Sequence, residues 1–327
     1  MSVTITDVAM LAGVSTATVS RVLSGGASVL PETRERVHRA VELLNYTPSG
    51  VARSLRSRTT RVIGLIVTDI TNPFYPDLVR GLEDAVHDQG RSVLFCNAAE
   101  NVEREQRYLD VLSEQRVDAM VVASSGLTRR WAERLDDFPI PVVLVNVQSP
   151  GERFPAVVAD NQVGGRIAAE HLVERGYGPI VHIAGALEEG ETSVRQAGVA
   201  DVAGDDLLVA AGDGHLEGGA RAMLEIAESI EPPFGVVAHN DLSAIGAMSA
   251  LHQLGWDVPG QVGVVGFDDI DVTRYVTPPL TSVVQDRYGM GAYAAELVHR
   301  LLDGESASGT HLMPVELAVR ESTRGPA

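Results

Sequence analysis

Residues 4–23 read TITDVAMLAGVSTATVSRVL. Its first half has the apolar period of an amphipathic helix, with Ile5, Val8, Ala9 and Ala12 on one face. Thr4 and Asp7 suit the start of that helix as a capping pair. A glycine turn follows at Gly13, and Ser15 is a suitable N-cap for a second helix. The sequence therefore predicts two short helices joined by a tight turn.

The outer face of the second predicted helix is small, hydroxylic and basic, with Thr16, Ala17, Ser20 and Arg21. In a helix-turn-helix, the second helix enters the major groove of DNA. Small side chains let the backbone approach the base edges, and an arginine can bind O6 and N7 of guanine together. This stretch predicts DNA binding. The alternative is a small helical subdomain whose polar face is merely solvated.

The charge of the chain is distributed unevenly. The whole sequence has a net charge of −18, but residues 1–61 contain eight arginines and four acidic residues, a local balance of +4. The remainder therefore carries −22. A basic head on an acidic body is typical of a protein that touches phosphates with one end only.

A third helix and a hinge are predicted after the first two helices. The third covers residues 31–45, where Pro31 suits the first turn but Leu30 provides no side-chain cap. The segment YTPSGVARSL at residues 46–55 is only marginally helical in composition. Arg53 and Arg56 flank Leu55, a pattern that favours an apolar wedge in the minor groove with arginines on the phosphates. An ordinary interdomain linker is the alternative.

From Arg61 onward, apolar runs alternate with helical patterns in two series, the second opening with the run at residues 157–160. Continuous apolar strands separated by helices predict parallel sheets covered on both faces. Between residues 185 and 206 the pattern is irregular. The sequence predicts two doubly wound α/β lobes.

Polar residues follow the predicted strands, where open parallel sheets bind ligands. They are found at residues 69–75, at Ser124 and Ser125, at Asp160 and Asn161, in the loop before Arg195, at Asn240 and Asp241, and at Asp268 and Asp269. Such groups suit a ligand with hydroxyls or amines. For Asp77 and Asp241, capping of a following helix explains the carboxylate at least as well.

Composition narrows the class of protein. A chain of 327 residues is expected to form two or three domains. The one cysteine, Cys96, excludes an intrachain disulfide, and no metal-ligand cluster, catalytic constellation, lysine or cofactor motif is present. Without a membrane-spanning run or an export leader, the protein is expected to remain in the cytoplasm, on the nucleoid.

Taken as a whole, the sequence resembles the lactose-repressor (LacI/GalR-type) family of bacterial transcription regulators. The resemblance covers nearly the entire chain. It rests on TITDVAMLAGVSTATVSRVL, NYTPSGVARSL, RVIGLIV followed by NPFY, VVADNQVGGRIAAEHLVERGY, HIAG, AHNDLSAIGAM, VGVVGFDD, PPLTSVVQD and ELAVRES.

The resemblance implies an α/β protein with three parts. Residues 1–46 form a helix-turn-helix DNA-binding domain, residues 47–58 a hinge helix, and residues 59–327 an effector-binding and dimerisation domain. The last part resembles a periplasmic sugar-binding protein, with one lobe at about 61–159 plus 287–314 and the other at about 160–286 plus 315–327. A homodimer binds a pseudo-palindromic operator, and a small molecule between the lobes changes DNA affinity.

The resemblance also assigns residues to these roles. The DNA-binding positions are Thr4, Ser15, Thr16, Ala17, Thr18, Ser20, Arg21, Arg53, Leu55 and Arg56. Thr16, Ala17 and Arg21 read bases, Ser15, Thr18 and Ser20 lie near phosphates, and Leu55 is the wedge. The effector-binding positions are Phe74, Tyr75, Ser124, Asp160, Arg195, Asn240 and Asp268.

One departure from the family bears on the effector. The segment after Arg195 is shorter than in relatives by about two helical turns, and Gly214 stands where many of them have an aromatic that stacks on the ligand. The effector is expected to be a sugar or a related metabolite. One alternative function is a soluble sugar-binding protein without a regulatory role. The other is an enzyme built on the same lobes, but the sequence has no recognisable arrangement of a nucleophile with its catalytic partners.

Overall fold

The computed structural model describes residues 3–23, 29–47, 59–123, 135, 138–186 and 191–325. The chain divides into two compact units, Met1–Thr60 and Arg61–Ala327. The predicted hinge helix at residues 47–58 falls outside the described residues except for Thr47.

The first unit contains the three predicted helices, α1 (Ile5–Ala12), α2 (Thr16–Leu23) and α3 (Pro31–Leu43). Gly13 ends α1 in the left-handed conformation, with φ of 65°, which glycine adopts without steric cost. Val8, Val19 and Val37, one from each helix, are fully buried in the shared core. The helix-turn-helix prediction is confirmed.

The start of α3 lacks a side-chain cap, as the sequence predicted. Leu30 precedes the helix and makes no capping hydrogen bond, and its side chain is 74% exposed. Pro31 occupies the first turn, where its missing N–H costs nothing. An absent cap costs the head about 0.5–2 kcal/mol of stability.

The second unit alternates strands and helices. Its strands are β1 (Val62–Val67), β2 (Ser92–Asn97), β3 (Ala119–Ala123), β4 (Val142–Val145), β5 (Ala156–Ala159), β6 (Ile180–Ile183), β7 (Leu208–Ala210), β8 (Phe234–Ala238), β9 (Val262–Asp268), β10 (Thr281–Val284), β11 (Thr310–Met313) and β12 (Glu316–Ala318). Its helices are α4 (Phe74–Asp88), α5 (Val102–Glu114), α6 (Asn161–Glu174), α7 (Glu191–Ala203), α8 (Leu216–Ile226), α9 (Asp241–Gln253) and α10 (Arg287–Leu302).

These strands form two sheets of six. The first has the order β11-β5-β4-β3-β1-β2 and the second the order β12-β10-β9-β8-β6-β7. The described strand pairs are parallel except for β10 with β12. Apolar cores cover both faces of each sheet. The predicted fold class, an α/β chain with a three-helix head and two doubly wound lobes, is confirmed.

The chain passes between the two sheets three times. It leaves the first sheet after β5, returns to it after β10, and goes back to the second sheet between β11 and β12. Helix α10 packs on α4 in the core of the first sheet, where Met290, Ala294 and Val298 are fully buried. Each lobe is therefore built from separate segments of the chain.

Glycines allow three pairs of helices to touch backbone to backbone. The pairs are Gly81 with Gly291 between α4 and α10, Gly165 with Gly198 between α6 and α7, and Gly219 with Gly246 between α8 and α9. A Cβ on Gly291 would lie 2.0 Å from the carbonyl oxygen of Leu78, and one on Gly165 would lie 2.1 Å from that of Arg195. No other residue fits at these contacts without moving a helix.

One expectation from the strand pattern is wrong, and one helix was not predicted. The apolar run opening the second series is β5, but it pairs with β4 and β11 in the first sheet. The strands of the two sheets are similarly apolar, so the composition of a strand does not show which sheet it joins. The segment before residue 206, which the pattern left irregular, contains α7, and Arg195 lies on that helix.

Among the helices within the described ranges, none combines the length and the apolar character that a bilayer crossing requires.

Candidate functional site

The exposed face of α2 carries the residues predicted to read bases. Thr16, Ala17 and Arg21 are exposed, whereas Val19 and Val22 are buried against the other two helices. The burial of the valines fixes the rotation of α2, because only one face can enter the core. A small residue, a hydroxyl and a guanidinium are thereby presented together.

The hydroxyls at the start of α2 also cap the helix. Ser15 Oγ accepts a hydrogen bond from the backbone N–H of Thr18 at 3.2 Å, and it lies 2.9 Å from Thr18 Oγ1. Ser20 is half-buried. The N-terminal backbone N–H groups of a helix favour a phosphate, so these positions suit backbone contacts on DNA.

Thr4 is exposed and makes the predicted capping contact with Asp7. Its backbone N–H and its hydroxyl both donate to Asp7 Oδ2, at 2.8 Å and 2.7 Å. The hydrogen bond from the Thr4 hydroxyl contributes most to lowering the pKa of Asp7, and the one from the Thr4 backbone N–H lowers it further. The predicted DNA positions Arg53, Leu55 and Arg56, and the predicted effector position Ser124, lie outside the described residues.

Phe74 and Tyr75 open helix α4 in the first lobe, and both are buried. Their rings meet edge to face, with centroids 5.2 Å apart and an interplanar angle of 89°. Burial raises the pKa of Tyr75, and the negative charge of Asp268 raises it further. Tyr75 of the first lobe therefore lies within electrostatic reach of Asp268 of the second.

Asp268 ends β9 in a strained conformation, with φ of 111°. Gln285 Nε2 donates to its Oδ1 at 2.6 Å, and Arg287 Nη1 donates to its carbonyl oxygen at 2.9 Å. Burial raises the pKa of Asp268 to about 6, although the charges of Arg195 and Arg287 oppose the rise. A buried carboxyl that already accepts a hydrogen bond from Gln285 suits a ligand hydroxyl as a further donor.

Arg195 is 3% exposed, and it contacts Asn161, His239 and Phe267 of the second lobe. Its Nε and Nη2 donate to Asn161 Oδ1 at 3.1 Å and 2.6 Å, and its Nη1 donates to the carbonyl oxygen of His239. The guanidinium carbon lies 3.4 Å from the centroid of the Phe267 ring, a cation–π contact. Arg195 is thus fixed in place at the end of the sheet.

Asn240 and Asp160 both cap helices. Asn240 Oδ1 accepts from the backbone N–H of Ser243 at 2.9 Å, and its Nδ2 donates to the carbonyl oxygen of Gly214 at 2.8 Å. Asp160 Oδ1 accepts from the N–H of Val163 at 3.1 Å. Asn240 is buried and Asp160 is half-buried.

The capping explanation for Asp241 is wrong. The N-cap of α9 is Asn240, and the buried Asp241 carboxylate instead accepts from Ile270 N–H at 2.8 Å and from Ser282 Oγ at 2.5 Å. Burial raises its pKa well above the usual value. Asp77 Oδ2 accepts from Arg287 Nη2 at 2.7 Å, which ties α4 to the start of α10.

The structure brings together Arg195, Asn240 and Asp268 at the carboxyl edge of the second sheet. Gln285 and Arg287, which bind Asp268, were missed as site residues. They follow β10, so the rule applied to the other strand ends would have found them. His239, whose carbonyl binds Arg195, was missed as well.

Comparison with known proteins gives matches at both ends of the chain. Residues 4–49 match the family of bacterial regulatory proteins of the lacI type, and residues 169–323 match the periplasmic binding protein-like domain. The ribose operon repressor of Halalkalibacterium halodurans is 37% identical over 329 residues, which covers 98% of this chain and 97% of that protein.

Two solved structures are similar to most of the chain. The Lac repressor dimer bound to operator and the anti-inducer ONPF superposes with a TM-score of 0.89 at 28% identity, covering 99% of both chains. A LacI family regulator from Enterococcus faecium with bound ribose gives a TM-score of 0.71 at 29% identity, over 81% of this chain and 99% of that one.

Proposed function

Because the chain belongs to the LacI family of bacterial regulatory proteins, we propose that it is a DNA-binding transcriptional repressor whose operator affinity is set by a small molecule. The exposed face of α2 carries this proposal. Thr16, Ala17 and Arg21 are exposed on this face. Val19 and Val22, on the opposite face of the helix, are buried in the core of the head. A basic head with such a face is suited to the major groove.

The DNA partner is a pseudo-palindromic operator, and a homodimer places one head on each half-site. Support comes from the likeness to the Lac repressor dimer, which is bound to its operator. The head covers residues 1–46 and the hinge residues 47–58. The hinge inserts Leu55 at the centre of the operator, with Arg53 and Arg56 on the flanking phosphates.

The effector is a sugar or a related metabolite held at residues 59–327 by Phe74, Tyr75, Ser124, Asp160, Arg195, Asn240 and Asp268. Support comes from the ribose bound to the Enterococcus faecium regulator and from the name of the ribose operon repressor. The carboxyl of Asp268 and the amide of Gln285 are suited to hydroxyl groups, since both can accept hydrogen bonds. D-ribose is the first ligand to test.

The alternative function, a sugar-binding protein without a regulatory role, does not account for the residues on the exposed face of α2. Catalysis is not part of the proposal, because the named relatives are repressors. The protein acts in the cytoplasm, on the nucleoid, and needs neither a metal nor a cofactor.

Selection of DNA by the purified protein tests this function. The protein is incubated with a pool of random duplexes at moderate salt, and bound duplexes are amplified and sequenced over several rounds. We expect enrichment of one pseudo-palindrome with two equivalent half-sites. An unenriched pool, with and without D-ribose, would contradict the proposal.

A further inference from the structure

His239 lies at the carboxyl end of β8, in the part of the second lobe that holds the predicted effector residues. Its backbone N–H donates to the carbonyl oxygen of Ile183 at 2.8 Å, and its own carbonyl oxygen accepts from Arg195 Nη1. The next residue, Asn240, caps α9. The backbone of His239 is therefore held on both sides, which fixes where its ring stands.

One face of the His239 ring rests on a glycine. A Cβ built on Gly185 would lie 2.9 Å from each of Cδ2, Cε1 and Nε2 of the ring, so a larger residue there would push the imidazole away. Gly214 is also close, since its Cβ would lie 3.8 Å from Cδ2. Neither glycine has a side chain to cover the ring, and His239 is only half-buried.

The imidazole has an unused hydrogen-bonding atom. Nδ1 is buried and makes no hydrogen bond within the described part of the chain. Burial lowers the pKa of His239 well below the usual value, and the positive charge of Arg195 lowers it further. The ring is therefore a neutral imidazole near neutral pH, with one nitrogen to donate and one to accept.

A buried polar atom without a partner is costly in a folded protein. The cost is removed when a ligand supplies the missing hydrogen bond. A flat neutral ring also gives the carbon face of a ligand a surface to lie on, which Gly214 cannot provide. His239 combines both features beside Arg195 and Asn240.

We propose that His239 is an effector-binding residue that sets specificity, with its ring against the carbon face of the ligand and a ring nitrogen bonded to one of its hydroxyls. The proposal rests on the proposed function, because it places the residue in the site of that effector. A purely structural His239 would affect the stability of the lobe and leave ligand affinity unchanged.

Four forms of the full chain test the assignment: the wild type, His239→Ala, His239→Phe and the control His252→Ala. His252 is exposed in the last turn of α9 and far from the strand end in sequence. Titration calorimetry with D-ribose, D-xylose and ribitol measures the affinity for each probe, and unfolding temperatures are recorded beside it. We expect His239→Ala to lower the affinity for the probe that the wild type binds by about tenfold. This is the effect of losing one hydrogen bond together with a ring contact.

The other variants separate the two contributions. His239→Phe keeps a flat ring without nitrogen, so its affinity is expected to fall between those of the wild type and His239→Ala. His252→Ala should bind like the wild type. Equal affinity of His239→Ala and the wild type would overturn the assignment and leave the proposed function intact.

Two further outcomes complete the test. A wild type that binds none of the three probes would count against the proposed effector class and the His239 assignment together. If the His239 variants do not fold, the imidazole nitrogens of the ¹⁵N-histidine-labelled wild type are followed by NMR during the titration. Unchanged His239 nitrogen resonances at saturation with a bound probe would overturn the assignment.

Discussion

His215 Nε2 lies 3.0 Å from Glu100 Oε1, and the pair joins the two lobes directly. His215 precedes α8 of the second lobe, whereas Glu100 follows β2 of the first. The hydrogen bond with Glu100 raises the pKa of His215, and the charges of Glu100, Asp213 and Asp69 add to the rise, while burial opposes it. Protonation of one histidine therefore strengthens the contact between the lobes.

We expect this contact to make stability depend on pH. Because the folded-state pKa of His215 is raised, its stabilisation is complete below the unfolded value near 6.5 and is lost as the pH rises through the folded value. Both side chains are well exposed, so the effect is below about 1 kcal/mol. The unfolding temperature of His215→Gln should fall less than that of the wild type between about pH 5.5 and about pH 8.5. The same fall in both proteins would exclude a role for the pair, and Glu100→Gln should behave like His215→Gln.

The pair of Arg287 and Asp77 predicts a route from the effector site to the first lobe. Arg287 binds the carbonyl oxygen of Asp268 and the carboxylate of Asp77, so it connects the end of β9 with α4. Asp77→Asn removes the charge on the first-lobe side and leaves the contact with Asp268. We expect it to reduce the change that D-ribose causes in operator affinity by about threefold or more.

Fluorescence anisotropy of a labelled operator measures this coupling with and without D-ribose. Arg80→Gln is the matched control, because Arg80 lies on the same helix and pairs only loosely with Asp84, at 3.9 Å on the surface. If Arg80→Gln lost as much coupling as Asp77→Asn, any change on α4 would have this effect, and the pair of Arg287 and Asp77 would have no special role.

Arg21 on the exposed face of α2 is expected to read a base. Arg21→Ala should weaken binding to the selected operator by about 1–3 kcal/mol and binding to random duplex much less. Arg39→Ala, an exposed position on α3, removes the same charge from the head and serves as the control. Competition titrations with both duplexes give the two affinities. Equal losses on the two duplexes would make Arg21 a phosphate contact.

Gly165 is expected to be essential to the position of Arg195. A Cβ at Gly165 would lie 2.1 Å from the Arg195 carbonyl oxygen, so Gly165→Ala must separate α6 from α7. We expect a loss of about 1–3 kcal/mol in the free energy of unfolding. Glu170→Ala, at an exposed position on α6, should change it little. Urea unfolding measures both, and a neutral Gly165→Ala would contradict the close contact.

Helix α7 shows which part of the fold the sequence could not provide. The strongly amphipathic α1 and α2 were predicted because valine faces the core and polar residues face solvent. In Glu191–Ala203, however, the packed face consists of small residues such as Gly198, whose Cβ would lie 2.1 Å from the Gln162 carbonyl oxygen. A face built for close backbone contact has no apolar stripe, so the pattern appeared irregular.

The effector site was predicted in part for a similar reason. The rule that ligands bind beyond parallel strand ends found Asn240 and Asp268, because a polar residue after an apolar run is visible in the sequence. His239 was not found, because the features that single it out are Gly185 beneath its ring and an Nδ1 that has no hydrogen-bond partner among the described residues. Both features depend on which strands are neighbours, which only the folded chain defines.

Control of DNA binding by a sugar is tested most directly by reciprocal coupling. The affinity for the selected operator is measured with and without saturating D-ribose, and the affinity for D-ribose is measured with and without saturating operator. We expect both ratios to differ from one by the same factor, between about fivefold and about 150-fold. Ratios of one in both titrations, with D-ribose bound, would contradict effector control by this sugar.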